Sequence, residues 1–164
     1  MALLENRNLR SGIIYLLIIF SYYCSLMIGI SWDEPFEIIR GQERLKYIIS
    51  FGGYEIAPAQ NDKYYPGLYS TISAFLSNIM PKKYIYETFH LINNTFSILT
   101  IFGFYKLSKL LFNKNVAFIS LTILFLNPTF FGHMSMNPKD TIIAFCLIWT
   151  TLVLFKYLTY QKNK

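Results

Sequence analysis

Two short clusters hold most of the side chains that could do chemistry in this 164-residue chain. The first is Trp32-Asp33-Glu34-Pro35, two carboxylates side by side just beyond a long apolar block. Adjacent acids at such a place are costly unless solvated, paired or bound to a cation. A carboxylate held there can serve as a general base or as an oxygen ligand to a hard cation. It can equally cap the helix that Pro35 opens, with Trp32 as an interfacial aromatic. The dyad alone does not separate these readings. The second cluster, Gly132-His133-Met134-Ser135-Met136-Asn137-Pro138-Lys139-Asp140, brings together an imidazole, an ammonium and a carboxylate. Asn137-Pro138 favours a turn, which leaves Asp140 as a cap for the helix that follows. Taken one at a time, these polar residues are accounted for by solvation at a membrane surface.

The remaining polar residues read more plainly. Arg40 and Arg44 could clamp a phosphate, although pairing with Glu37 or with lipid headgroups is the default. His90 reads as an interfacial residue, and Asn93 and Asn94 as hydrogen-bonding groups between helices. Tyr64, Tyr65 and Tyr69 read as belt aromatics, and Cys24 and Cys146 as small apolar fillers. The chain contains no Gly-rich phosphate loop, nucleophile elbow or Cys/His metal spacing. Nucleotide-driven and zinc chemistry therefore lack support.

The elements that must carry these clusters are membrane helices. Hydrophobic residues make up 54% of the chain and charged residues only 15%, with a mean hydropathy of +0.36. A soluble domain spends about 25% of its residues on charge, and a disordered chain needs low hydrophobicity. Two cysteines are too few for a disulfide-stapled secreted module. The net charge of +6 is informative through its placement and not as a nucleic-acid footprint.

A helix crosses the hydrocarbon core in roughly 20 apolar residues. Four stretches qualify, at about 12–30, 90–111, 116–131 and 141–157. The first follows Arg7 and Arg10 and lacks a small-x-small cleavage site, so it reads as an uncleaved signal anchor. The turn Phe112-Asn113-Lys114-Asn115 makes the second and third spans antiparallel neighbours. Leu68 to Met80 is too short and too rich in Ser, Thr and Asn to count as a fifth. With four spans, one face of the membrane holds eight Lys and Arg against Glu5 alone, a net +7. The other face holds seven cations with the eight remaining acids, a net −1. The positive-inside rule then predicts cytoplasmic termini for an integral protein of the plasma (inner) membrane or its equivalent. Lys106 and Lys109, near the inner end of the second span, snorkel to the interface. Both polar clusters fall on the outer face, so they could share one site.

The outer segment 31–89 is built of two amphipathic helices. Over about 35–50, Ile38, Leu45, Ile48 and Ile49 form an apolar stripe, with Glu37, Arg40, Arg44 and Tyr47 on another face. Pro35 suits its first turn, and Gly52-Gly53 ends it. Over about 66–80, Leu68, Ile72, Phe75, Leu76 and Ile79 form a stripe opposite hydroxyl residues. The loop 57–67 joins the two. The expected fold is all-α: a polytopic membrane protein of four transmembrane helices with two interfacial amphipathic helices in its first outer loop.

The order of these features resembles the N-terminal part of the C-type (GT-C) membrane glycosyltransferases, nearest to the protein O-mannosyltransferases and lipid A aminoarabinose transferases. The signal anchor ends in an outward Asp33-Glu34, and an amphipathic helix follows. After it come Tyr65-Pro66-Gly67-Leu68-Tyr69, the hairpin segment from Phe104 to Phe112, and Phe131-Gly132-His133 through Asn137-Pro138-Lys139-Asp140. The resemblance covers nearly the whole chain, through short motifs whose order carries it. It implies transfer of a sugar from a polyprenyl-phosphate donor to an acceptor lipid, glycan or protein on the outer face. It assigns Asp33 as the catalytic acid of the first outer loop and general base, Glu34 as its diacidic partner, and Asp140 as the acid of the second outer loop. Lys139, Arg40 or protonated His133 would stabilise the leaving phosphate. Some relatives bind a divalent cation at such acids, and the resemblance leaves the metal open. Relatives continue through further spans, so the chain is expected to be the N-terminal part of a longer architecture or to work with a partner chain that supplies those helices. Its other partners are membrane lipids, with no nucleic acid.

Two other readings compete. A small transport or flippase-like subunit should carry ionisable groups inside its spans, and none of the four cores holds an acid. A non-catalytic scaffold would leave the outer acids as caps alone.

Overall fold

The computed structural model describes residues 6–56 and 67–162. The loop expected at 57–67, with Tyr64 and Tyr65, therefore lies almost wholly outside the described residues. Every regular element among them is helical. The helices are α1 (Arg7–Met27), α2 (Glu34–Ile49), α3 (Leu68–Ser77), a 3₁₀ turn (Lys82–Tyr84), α4 (Ile85–Leu111), α5 (Lys114–Leu126), α6 (Pro128–Met136) and α7 (Pro138–Lys162).

Local chemistry sets most of the ends. Asn6 caps α1 by accepting from the amides of Asn8 and Leu9, and Asn113 caps α5 through Asn115 and Val116. Pro35 lies in the first turn of α2, where its missing N–H costs nothing. α2 stops in a reciprocal turn, with Gly52 N–H on the Tyr47 carbonyl at 2.9 Å and Phe51 N–H on Ile48 at 3.1 Å. Phe51 thereby takes φ +50°, a left-handed conformation that favours glycine, and its side chain is wholly exposed.

α4 is the hub. It packs most extensively on α7 and also against α1, α5 and α6. Ile98 and Ile101 of α4 form the apolar core with Leu121 and Phe125 of α5 and Met134 of α6. Ile14, Leu17, Ile18 and Tyr22 of α1 close over it. Gly103 lets α4 and α7 approach, because a Cβ there would meet Ile148 at 2.7 Å and the Trp149 indole at 3.1 Å. That indole donates to the Leu99 carbonyl at 3.1 Å, and Lys106 lies over its ring.

Two helices, Asn8–Met27 and Pro138–Lys162, are each long and apolar enough to cross a membrane, and α5 with α6 makes a third candidate if the pair is one span. Their many exposed apolar side chains suit the interior of a membrane, which makes this an integral membrane protein. At 27 residues α4 is about 40 Å long. Its polar residues keep it below the apolar standard of the others, because many of them face protein and not lipid.

The third expected span, 116–131, is not continuous. Asn127 caps α6 by accepting from Phe130 N–H at 2.9 Å, Pro128 opens it, and the two helices bend by 67°. The expected outer loop 132–139 is correspondingly helical as far as Met136. The apolar stripe of α2 also differs from expectation. On α2, Ile38 and Leu45 are buried together with Glu37, whereas Ile48 and Ile49 are exposed. α3 is inside out. Its Ser70, Ser73, Ala74 and Ser77 are buried against α2, where Gly41 sits on the Ser70 carbonyl, and Leu68, Ile72, Phe75, Leu76 and Ile79 point away. A helix chooses that arrangement when the medium outside it is apolar.

Candidate active site

Two helix N-termini converge on one cleft of about 370 Å³. Its wall is made by Ser31 to Glu34 and Glu37 from the start of α2, and by His133 and Met136 to Asp140 from the α6–α7 junction. Small-molecule sites start at about 300 Å³. The two polar clusters, about a hundred residues apart in sequence, therefore meet at one cleft.

Asp33 precedes α2 in the capping position, yet its side chain makes no cap bond. Its carboxylate is largely exposed and accepts from the Lys139 ammonium at 3.0 Å. Lys139 also stands 3.8 Å from the Glu37 carboxylate, which accepts from Arg40 at 3.0 Å. A cation in the first turn of α7 opposes the helix dipole, and the acids across the cleft offset it. Asp140 is not the cap of α7. Asn137 holds that role, accepting from Asp140 N–H at 3.2 Å, while its amide donates to the Asp140 carboxylate at 2.8 Å and lies 2.9 Å from His133 Nδ1. His133 and Asp140 are 4.0 Å apart.

Asp33, Glu34, His133, Lys139 and Asp140 all line the cleft. Arg40 does not line it, and it donates to Glu37, which does. Arg44 lies on the α2–α3 contact, donating to Ser70 at 3.2 Å.

Glu34 differs from its neighbour. Its side chain is buried, with one oxygen 2.5 Å from His90 Nε2 and the other accepting from Ser31 N–H. His90, at 2% exposure, is not interfacial; its Nδ1 lies 3.2 Å from the Ser25 carbonyl. Ser25 in turn bonds Ser135 at 2.6 Å. Below this pair runs a polar seam. Asn94 donates to Ser21 at 3.2 Å, and Thr141 donates to Asn93 at 2.9 Å. Asn93 and Ser97 donate to the Met134 carbonyl at 3.1 and 2.9 Å. The helical partner of that carbonyl would be residue 138, a proline without N–H, so the two side chains replace a missing backbone donor. Asn93 and Asn94 link helices as expected. Glu37 and His90 were not foreseen as site residues. The signals for them were Ser31-x-x-Glu34 at capping-box spacing, Glu37 one turn beyond Asp33, and His90, Asn93, Asn94 and Ser97 on one helix face.

Tyr69 half-buries its ring edge-on to Phe96. Desolvation raises its phenol well above the ordinary tyrosine range, reinforced by the charges of Glu37 and Glu34 and partly offset by the nearby Ser73 hydroxyl. Among the described residues no group of three or more His, Cys, Asp or Glu is arranged to hold a metal ion.

Fold and cleft define a helical membrane protein with a polar site at one end of its bundle. Residues 87–164 match the family model described as dolichyl-phosphate-mannose-protein mannosyltransferase, and over that stretch the chain is similar to this GT-C family of membrane glycosyltransferases. No curated protein and no solved structure matches it. The matched stretch holds His90, His133, Lys139 and Asp140, while Asp33, Glu34 and Arg40 precede it.

Proposed function

We propose that the cleft transfers a sugar from a polyprenyl-phosphate donor to a hydroxyl of a lipid, glycan or protein acceptor on the outer face of the membrane. The acceptor oxygen attacks the anomeric carbon, its proton passes to Asp33, and the bond from that carbon to the phosphate oxygen breaks with its electron pair leaving on the polyprenyl phosphate. Lys139 and His133, beside the N-terminus of α7, stabilise the departing anion. One observation carries the reading: Lys139 stands 3.0 Å from the Asp33 carboxylate across a cleft shared with His133 and Asp140. An arriving donor phosphate competes with Asp33 for that ammonium and so frees the base as it binds. Asp140, held by Asn137, orients the His133 side of the cleft.

The topology is four crossings with cytoplasmic termini in the plasma (inner) membrane. It is supported by the charge asymmetry of the two faces and by the length of α4. The outward apolar stripe of α3 supports interfacial placement of the α2–α3 pair.

The test is donor choice in reconstituted vesicles. Label is expected to move to acceptor from mannosyl-phosphoryl-polyprenol and not from a nucleotide-activated mannose. Transfer from the nucleotide sugar alone would overturn the proposal.

A further inference from the structure

Resting on the reading of Asp33 as the base, we infer that Glu34 and His90 form a buried latch that sets its position, which makes His90 a positioning residue. The two acids are adjacent in sequence but differ in surroundings. Both Glu34 oxygens are engaged, one by His90 Nε2 and one by Ser31 N–H, and the side chain is only 7% exposed. With each oxygen already accepting one bond, Glu34 holds its place while Asp33 faces the cleft. His90 meets an acceptor on each side, Glu34 and the Ser25 carbonyl. Two protons, one between Glu34 and Nε2 and one on Nδ1, satisfy every atom and leave the pair neutral overall. Neutrality is what burial beside apolar helices demands.

The latch has a mechanical consequence. Ser31 N–H is held by the Glu34 side chain and the Ser31 carbonyl accepts from Glu34 N–H at 3.3 Å, so the turn 31–34 is closed on itself. His90 fastens that closed turn to α4, and Ser25 with Ser135 ties the same point to α1 and α6. Asp33 has no cap bond of its own and projects from the turn toward Lys139. Its direction is therefore set by a neighbour that faces the other way.

The experiment uses the full chain in vesicles, with Cys24→Ser and Cys146→Ala removing the native thiols and cysteines placed at positions 33 and 139. A short bifunctional thiol reagent bridges the two, and mass spectrometry counts the bridged peptides. His90→Ala is expected to lower bridging about tenfold, the shift produced by losing a buried hydrogen-bonded contact. His90→Gln, whose amide has two donors for the same two acceptors, is expected to restore most of it. Ile101→Ala, which loosens the core without touching the turn, should leave bridging at the parental level. In the chain that keeps Asp33 and Lys139, His90→Ala should lower kcat for mannosyl-phosphoryl-polyprenol while KM stays within about twofold. Parental bridging in His90→Ala, or equal loss in Ile101→Ala, would overturn the latch. If the parent transfers no sugar, the base assignment fails, and the bridging result still decides the latch.

Discussion

Asp33 and Glu34 are chemically near-identical neighbours with opposite surroundings. The first stands in the open mouth of the cleft with a lysine from the far turn as its partner. The second is turned into the bundle, its oxygens taken by His90 and Ser31. Sequence adjacency therefore says little about shared function at the start of a helix. Successive side chains there point about 100° apart, so one can serve the solvent side while the next serves the core. In the proposed mechanism the buried half holds position and the accessible half exchanges partners.

The contrast can be broken most severely from the buried side. Glu34→Ala leaves His90 enclosed without its carboxylate and should cost about 3–5 kcal/mol, whereas Asp33→Ala, an exposed pair partner, should cost less than about 1 kcal/mol. Thermal unfolding in micelles compares the two directly, and equal losses would erase the distinction. Next in size is the footing of α2. Gly41→Leu forces α2 off the Ser70 carbonyl and should cost about 1–3 kcal/mol by overpacking, with Asp33–Lys139 proximity falling alongside. At the far end of α2 the sign reverses. Phe51→Gly relieves a left-handed phenylalanine and should raise stability by about 0.5–1 kcal/mol with no change at either carboxylate. The smallest effect belongs to Tyr69, which lies behind Glu34 and Glu37. Its folded phenol titrates above its unfolded value of 10.0, so its contribution is complete below that pH and is lost as pH rises beyond it. Tyr69→Phe should flatten the alkaline loss of stability above about pH 10 and leave the neutral range alone.

Much of this architecture was legible in the residues. The apolar blocks marked the long helices, and Pro35 and Gly52 marked the ends of α2. The clusters at 33–34 and 133–140 were placed on one face by charge bookkeeping, and they do share a cleft. The break at Asn127 was equally visible, since Asn-Pro both caps and starts a helix there as it does at Asn137. It was masked by the hydrophobicity on both sides. The facing of α3 was not legible, because an apolar stripe points inward or outward according to the medium around it. The role of His90 was hidden for another reason: its partner lies 56 residues away, and only the packing of α4 against α1 brings the two together.

The role of Asp33 is decided by the turnover of folded Asp33→Asn in vesicles supplied with mannosyl-phosphoryl-polyprenol. Loss of the proton acceptor should lower transfer about 10²–10⁴-fold while membrane insertion and the unfolding midpoint stay at parental values. Parental turnover by that inserted, folded variant would exclude Asp33 as the base.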